Sequence, residues 1–250
     1  MVDLDGAISA GRSARTRGVS LREQVAEQIK QLIIRNRMRP GDLLPTEGEL
    51  CEELGASRSS VREAVKVLAA LDIVEVRHGH GTYVGKMSMA ALVESLAFRG
   101  FLSRDNDYRL IADLVDVRAT LEQGFAETLV ASSTPEQRDR LHALATGMRT
   151  RAERGEDIID LDRDFHLALM APLDNDLVLQ LTGAFWDVHA IVAPGLGSSS
   201  EQLVQTADAH LRIAERVAAE DAVGLREAIA AHYQPIRTNI AAHIARARED

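Results

Sequence analysis

Residues 44–84 read LPTEGELCEELGASRSSVREAVKVLAALDIVEVRHGHGTYV. Two short helical segments, each with its own start signal, are followed by two β-rich runs around a glycine turn. Thr46 and Glu49 have the spacing of a capping box, and Pro45 precedes them. Leu50 and Leu54 give that helix one apolar face, and Gly55 stands where a helix ends in a left-handed residue. Ser57 is placed to cap the next helix, whose apolar stripe is Val61, Ala64, Val65 and Leu68. Its first turn leaves Arg58, Ser59 and Arg62 on the outer side. Ile73, Val74 and Val76 then read as a strand, His78 to Gly81 as a turn, and Thr82 to Val84 as a returning strand. This order predicts a winged helix-turn-helix, a module that lays one helix in the DNA major groove.

Side chains at the start of such a helix reach base edges, and arginine can grip guanine through two hydrogen bonds. The expected DNA contacts are therefore Arg58 and Arg62, with Thr46, Ser59 and Ser60 placing the module on phosphates. Gly79 and His80 on the wing complete the set, glycine allowing close approach to the minor groove.

Working outward, a first helix is expected from Ser20, with Glu23 in the capping-box position, to about Ile34, and a turn follows at 38–41. The predicted domains are a basic arm over 1–18, the winged module over 19–86 and an all-helical domain over 88–250. The arm carries Arg12, Arg15 and Arg17, which either contact phosphate or are simply solvated. Net charge is −9, yet residues 1–86 hold 13 Lys+Arg against 12 Asp+Glu, a net of +1, and the remainder 16 against 26, a net of −10. The acidity belongs to the second half and leaves the DNA module free to meet a polyanion. No apolar run approaches the ~20 residues of a membrane span. No export signal is read, and the single cysteine, Cys51, allows no internal disulfide. These features predict a cytoplasmic protein.

Beyond residue 88 the periodicity is helical. A stripe of Leu110, Leu114, Val117, Leu121 and Phe125 predicts a helix over 107–131. Thr134 with Gln137 opens the next, and further helices are expected over about 156–170, 175–192, 200–219 and 221–248. Pro235 lies inside the last one and should kink it. Three histidines occupy apolar stripes: His166, four residues after Asp162; His210, between Ala207 and Ala214; and His232, between Ile229 and Ile236. A lone interior histidine is ordinarily a satisfied core residue. Three of them with a carboxylate at helical spacing are harder to bury unpaired, which would cost several kcal/mol. One divalent ion would satisfy all four, and a carboxylate with three imidazoles suits Zn, Ni, Mn or Fe alike.

The stretch 44–84 resembles the DNA-binding domain of the GntR family of bacterial transcription regulators. One departure is Gly48, where that family usually carries an arginine; it also places a poor helix former in a short helix. Asp162, His166, His210 and His232 match in order the D-x-x-x-H and two later histidines of the FCD domain, the all-helical effector domain of the FadR subfamily. Arg118 and Glu122 match its early R-x-x-x-E, and Asn175 its later asparagine. The resemblance implies a homodimer on an inverted-repeat operator. It also implies a metal ion in the helical core and a small organic acid reaching that ion, with Arg118 and Asn175 as effector-binding residues. Arg118 either partners the anion or pairs with Glu122 along its helix.

The leading expectation is thus a mainly α, ligand-responsive regulator, a repressor by preference. Three alternatives stay open. One is a metal-dependent enzyme, against which stand the absence of HExxH, a phosphate loop or a nucleophile elbow. Another is a sensor of the metal itself. The third is a regulator whose metal is structural and whose effector binds elsewhere.

Overall fold

The computed structural model describes residues 21–102, 108–192 and 199–246. The basic arm, the Ser20 cap and residues 193–198, between two of the expected helices, lie outside these residues. The chain divides into two compact units, Met1–Ala91 and Leu92–Asp250.

The first unit runs α1 (Leu21–Arg35), α2 (Glu47–Leu54), α3 (Arg58–Ala70), β1 (Val74–Arg77) and β2 (Gly81–Val84). Both start signals act as the sequence predicts. Thr46 and Glu49 form a reciprocal capping box, and the Ser57 hydroxyl accepts from the backbone of Ser60. Gly55 adopts a left-handed φ of 60° and returns its N–H to the carbonyl of Cys51, closing α2. One face of α1 (Val25, Ile29, Leu32) packs with Leu50, Val61, Ala64 and Leu68 into a single apolar core, which Val74 and Val84 extend from the wing. The strands pair antiparallel from Val74–Val84 to Arg77–Gly81, and Leu43 adds a bridge to Tyr83. Gly85, just past β2, has a structural duty. A Cβ there would lie 2.2 Å from the carbonyl oxygen of Asp72, so only glycine lets the two backbones meet.

The second unit is all-helical among the described residues: α4 (Ala90–Leu102), α5 (Arg109–Gly124), α6 (Ala126–Ser132), α7 (Pro135–Glu153), α8 (Ile159–Met170), a 3-10 turn (Ala171–Leu173), α9 (Asp176–Val192), α10 (Ser200–Ala218) and α11 (Ala222–Arg246). The fold class is as expected, mainly α with a small wing. Some boundaries differ. The predicted helix over 107–131 is two helices meeting at Phe125, whose φ and ψ of −94° and 2° leave the helical region. α8 begins at Ile159 rather than near 156. Helix α11 extends through Pro235, which has no N–H to donate to Ala231. α10 packs on α7 and α11, α11 also on α5, α8 on α7 and α9, and α9 on α5. Their inner faces form one core that includes Ile111, Leu129, Met148, Phe165, Leu169, Ile213, Leu225 and Ile229.

Candidate functional site

Helices α8, α10 and α11 bring the predicted ligands together. Asp162 and His166 lie one turn apart on α8, so both side chains leave the same face. His166 and His210 are fully buried, and Asp162 is nearly so. Potential ligand nitrogens of His166, His210 and His232 lie within 4.8 Å of one another. Asp162 joins through its Oδ1, 2.9 Å from His210 Nε2 and 3.3 Å from His166 Nε2; the two imidazole nitrogens are 3.4 Å apart.

The tautomers follow from the outer contacts. His210 Nδ1 sits 2.8 Å from the carbonyl of Thr206. A carbonyl only accepts, so Nδ1 carries the hydrogen and Nε2 of the neutral ring turns a lone pair inward. His166 Nδ1 lies 2.8 Å from Glu122 Oε1. That contact is close enough for an ion pair but off the line of a good hydrogen bond, which leaves this nitrogen incompletely satisfied. Lone pairs of two imidazoles and a carboxylate thus converge. Acceptors 2.9 Å apart repel unless a cation stands among them, and the cation is either a proton or a metal ion. The donor set fits the metal: one carboxylate, three imidazoles, and outer partners that fix ring orientation.

The electrostatics agree. Burial works to raise the Asp162 carboxyl, but the facing His210 and His166 hold it well below the usual range. Burial, then the neighbouring His210 and His166, pushes His232 well below an ordinary histidine. At His166 burial acts downward, and Glu122 and Asp162 overcome it, so its affinity for a positive charge is raised. Glu122 is buried too. Burial acts upward on it, but His166, Arg118 and the Tyr233 hydroxyl, donating at 2.8 Å, keep it lowered.

Arg118 does not pair with Glu122 along the helix. Its guanidinium is buried, its Nε has no partner, and its Cζ lies over the ring of Trp186 at 4.2 Å and near Tyr233 at 5.5 Å. Among the described residues no carboxylate forms a salt bridge with it. The guanidinium charge helps hold Glu122 low, yet the two make no salt bridge, and the stacked guanidinium keeps an unmatched Nε–H. His189, a turn beyond Trp186, is pushed down to about 4 by burial and by the Arg118 charge, so it stays neutral.

Asn175 departs from expectation. It is exposed, and its side-chain oxygen accepts from the N–H of Val178 as the cap of α9. That duty at a helix start occupies the oxygen expected to serve the effector. Conversely, Glu122 enters only as a presumed partner of Arg118 in the sequence reading, and Tyr233 and Trp186 do not enter at all. The signal for them was weak: a polar or amphipathic residue on a buried stripe, one position from His232 in the case of Tyr233.

On the first unit, Arg58 is exposed at the start of α3. Arg62 is exposed as well, but its Nε donates to Glu47 of α2 at 2.8 Å, so it is held rather than free. Ser59 and Ser60 both contact the Ser57 hydroxyl at 2.9 Å, and Thr46 donates to Glu49 at 2.8 Å. Gly79 has a left-handed φ of 77° with open space around its Cβ position, and His80 donates its N–H to Arg77 across the wing turn. Gly48 likewise has room for a side chain, only the Thr46 hydroxyl approaching it at 3.9 Å.

Comparison with known proteins agrees with this division. Residues 21–84 match the bacterial regulatory proteins of the gntR family, and residues 113–235 match the FCD domain. NedR of Micromonospora viridifaciens, described as a transcriptional regulatory protein, is 50% identical over 119 residues, 48% of this chain and 86% of that protein. A protein of Escherichia coli K12 described as an L-lactate dehydrogenase operon regulator is 27% identical over 88% of this chain and 86% of its own length. Among solved structures, a GntR protein of Streptococcus agalactiae superposes with a TM-score of 0.66 at 28% identity, covering 87% of this chain and 99% of that one.

Proposed function

Because this chain belongs to the GntR family of bacterial regulatory proteins and carries an FCD domain behind its winged helix-turn-helix, we propose that it is a repressor released from operator DNA by a small organic carboxylate. The family membership makes it a DNA-binding transcription regulator and not an enzyme. In this reading its second unit holds one divalent ion on Asp162, His166, His210 and His232. The observation that carries the reading is the pairing of two unmet demands in one buried cluster. Converging lone pairs of Asp162, His166 and His210 call for a cation. Beside them, a buried Arg118 whose Nε–H meets no acceptor calls for an anion.

The bound ion would supply Lewis acidity and open positions for oxygen donors. The chain's own residues do the rest. Thr206 and Glu122 orient the His210 and His166 rings, Tyr233 in turn fixes Glu122, and Arg118 presents its donors to the carboxylate. Elemental analysis of purified protein tests the metal directly. One equivalent of a transition metal is expected in wild type, and well under a tenth of that in a His166→Ala/His210→Ala double variant. Wild type that takes up no stoichiometric metal after reconstitution with zinc, nickel, manganese or ferrous iron refutes the site.

A further inference from the structure

Buried side-chain nitrogens and oxygens that lack a hydrogen-bond partner belong, among the described residues, to a single neighbourhood: Arg118 Nε, Glu122 Oε2, His166 Nδ1, Trp186 Nε1 and His232 Nδ1. Buried polar groups are rarely left unmatched, and several in one place mark where something else binds. Two of the five are obligate donors outside the proposed metal ligands, the guanidinium Nε–H and the indole Nε1–H. They belong to side chains already in contact, since the Arg118 Cζ lies 4.2 Å from the Trp186 ring centroid. Trp186 is itself buried, and its ring centroid is 5.7 Å from that of His166. The indole is therefore a neighbour of both the guanidinium and the histidine cluster.

From this we infer that Trp186 is a positioning and specificity-determining residue of the effector site, holding Arg118 by stacking and adding its indole N–H as a second donor to one end of a small carboxylate. The inference rests on the carboxylate-sensing reading above and deepens it. Stacking covers a face of the guanidinium while its N–H donors, which lie in the plane, stay available to a ligand edge-on. A single anionic group that meets Arg118 and the indole has its two oxygens engaged there. The remainder of the molecule then faces the histidines. Occupants lacking an anionic end leave both buried donors unmatched, and the site discriminates against them on that ground.

The chain contains one tryptophan, so its fluorescence reports on this residue alone. In zinc-loaded, full-length protein, acetate, lactate and succinate are titrated separately, with inorganic phosphate and the uncharged acetamide in parallel. Binding is followed by calorimetry as well as by emission. At least one carboxylate is expected to bind and to change Trp186 emission saturably, with the same affinity by both methods, while acetamide does neither. Trp186→Phe keeps an aromatic face but removes the N–H; it should retain zinc and weaken the carboxylate at least tenfold by calorimetry. Trp186→Leu removes the stack as well and should weaken it further.

Wild-type affinity in Trp186→Phe, or carboxylate binding with unmoved wild-type emission, overturns the role of Trp186. If Arg118→Lys then abolishes binding, the carboxylate-sensing reading survives that failure. Phosphate bound in preference to every carboxylate overturns the ligand class. Absence of all carboxylate binding in zinc-loaded wild type overturns the underlying reading and this inference together. Should Trp186→Phe fail to fold, the wild-type emission measurement decides the matter by itself.

Discussion

At the scale of single residues, His189 offers a test that needs no ligand. Its folded form is pushed down to about 4 by burial and by Arg118, whereas an unfolded histidine titrates near 6.5. Between those values the unfolded chain binds the proton and the folded chain does not. Stability is therefore undiminished above about pH 6.5 and is lost as pH falls toward 4. The side chain is half-buried, so solvent screening leaves a contribution on the order of 1–3 kcal/mol. In metal-free protein, denaturant melts of wild type at pH 7.5 and pH 5 should differ by that amount more than those of His189→Gln. Equal pH slopes in the two proteins would show that His189 is charged in the fold.

At the scale of elements, α3 and the cap of α2 form the surface expected to read DNA. Arg58 is exposed at the start of α3, while Arg62 is tied to Glu47. An exposed pair of this kind contributes little, roughly 0–1 kcal/mol, so DNA can draw Arg62 away cheaply. A bidentate arginine–guanine contact contributes ~1–3 kcal/mol of discrimination. Arg58→Ala and Arg62→Ala should each weaken specific operator binding about tenfold or more in gel shifts at fixed salt. Affinity unchanged in both would remove α3 as the reading helix. The capping boxes and the left-handed Gly55 were legible because they are local, fixed by three or four consecutive residues. The break at Phe125 was not. The apolar stripe continues through it, and only packing of α6 against the 3-10 turn and α11 decides that the chain turns there.

At the scale of the whole molecule, the proposal is a coupling between two sites. An effector shifts the protein between DNA-competent and released states only by its differential affinity for them, typically ~1–3 kcal/mol. Chelation, or His210→Ala, should abolish the effect of a carboxylate on operator affinity while leaving DNA binding intact. A carboxylate that still releases metal-free protein from DNA would make the ion structural. Reading an inverted repeat further requires a two-fold dimer. Sedimentation at micromolar concentration should give about twice the 27.3 kDa chain mass, and a monomer there would contradict the operator symmetry.

The sequence by itself determined what is periodic or local: the winged helix-turn-helix, the helical second unit, and the inward placement of Asp162, His166, His210 and His232. Each rests on spacing along one helix or on a cap within one turn, where neighbours in sequence are neighbours in space. Tertiary structure alone decided the pairings that cross between helices. Arg118 of α5 stacks on Trp186 of α9 instead of pairing with Glu122, and Glu122 faces His166 of α8 and Tyr233 of α11. Asn175, at a position that looked functional, spends its side chain on the start of α9. Helical periodicity says which face is inward, but which side chains meet there depends on how the helices pack, and no single helix carries that information.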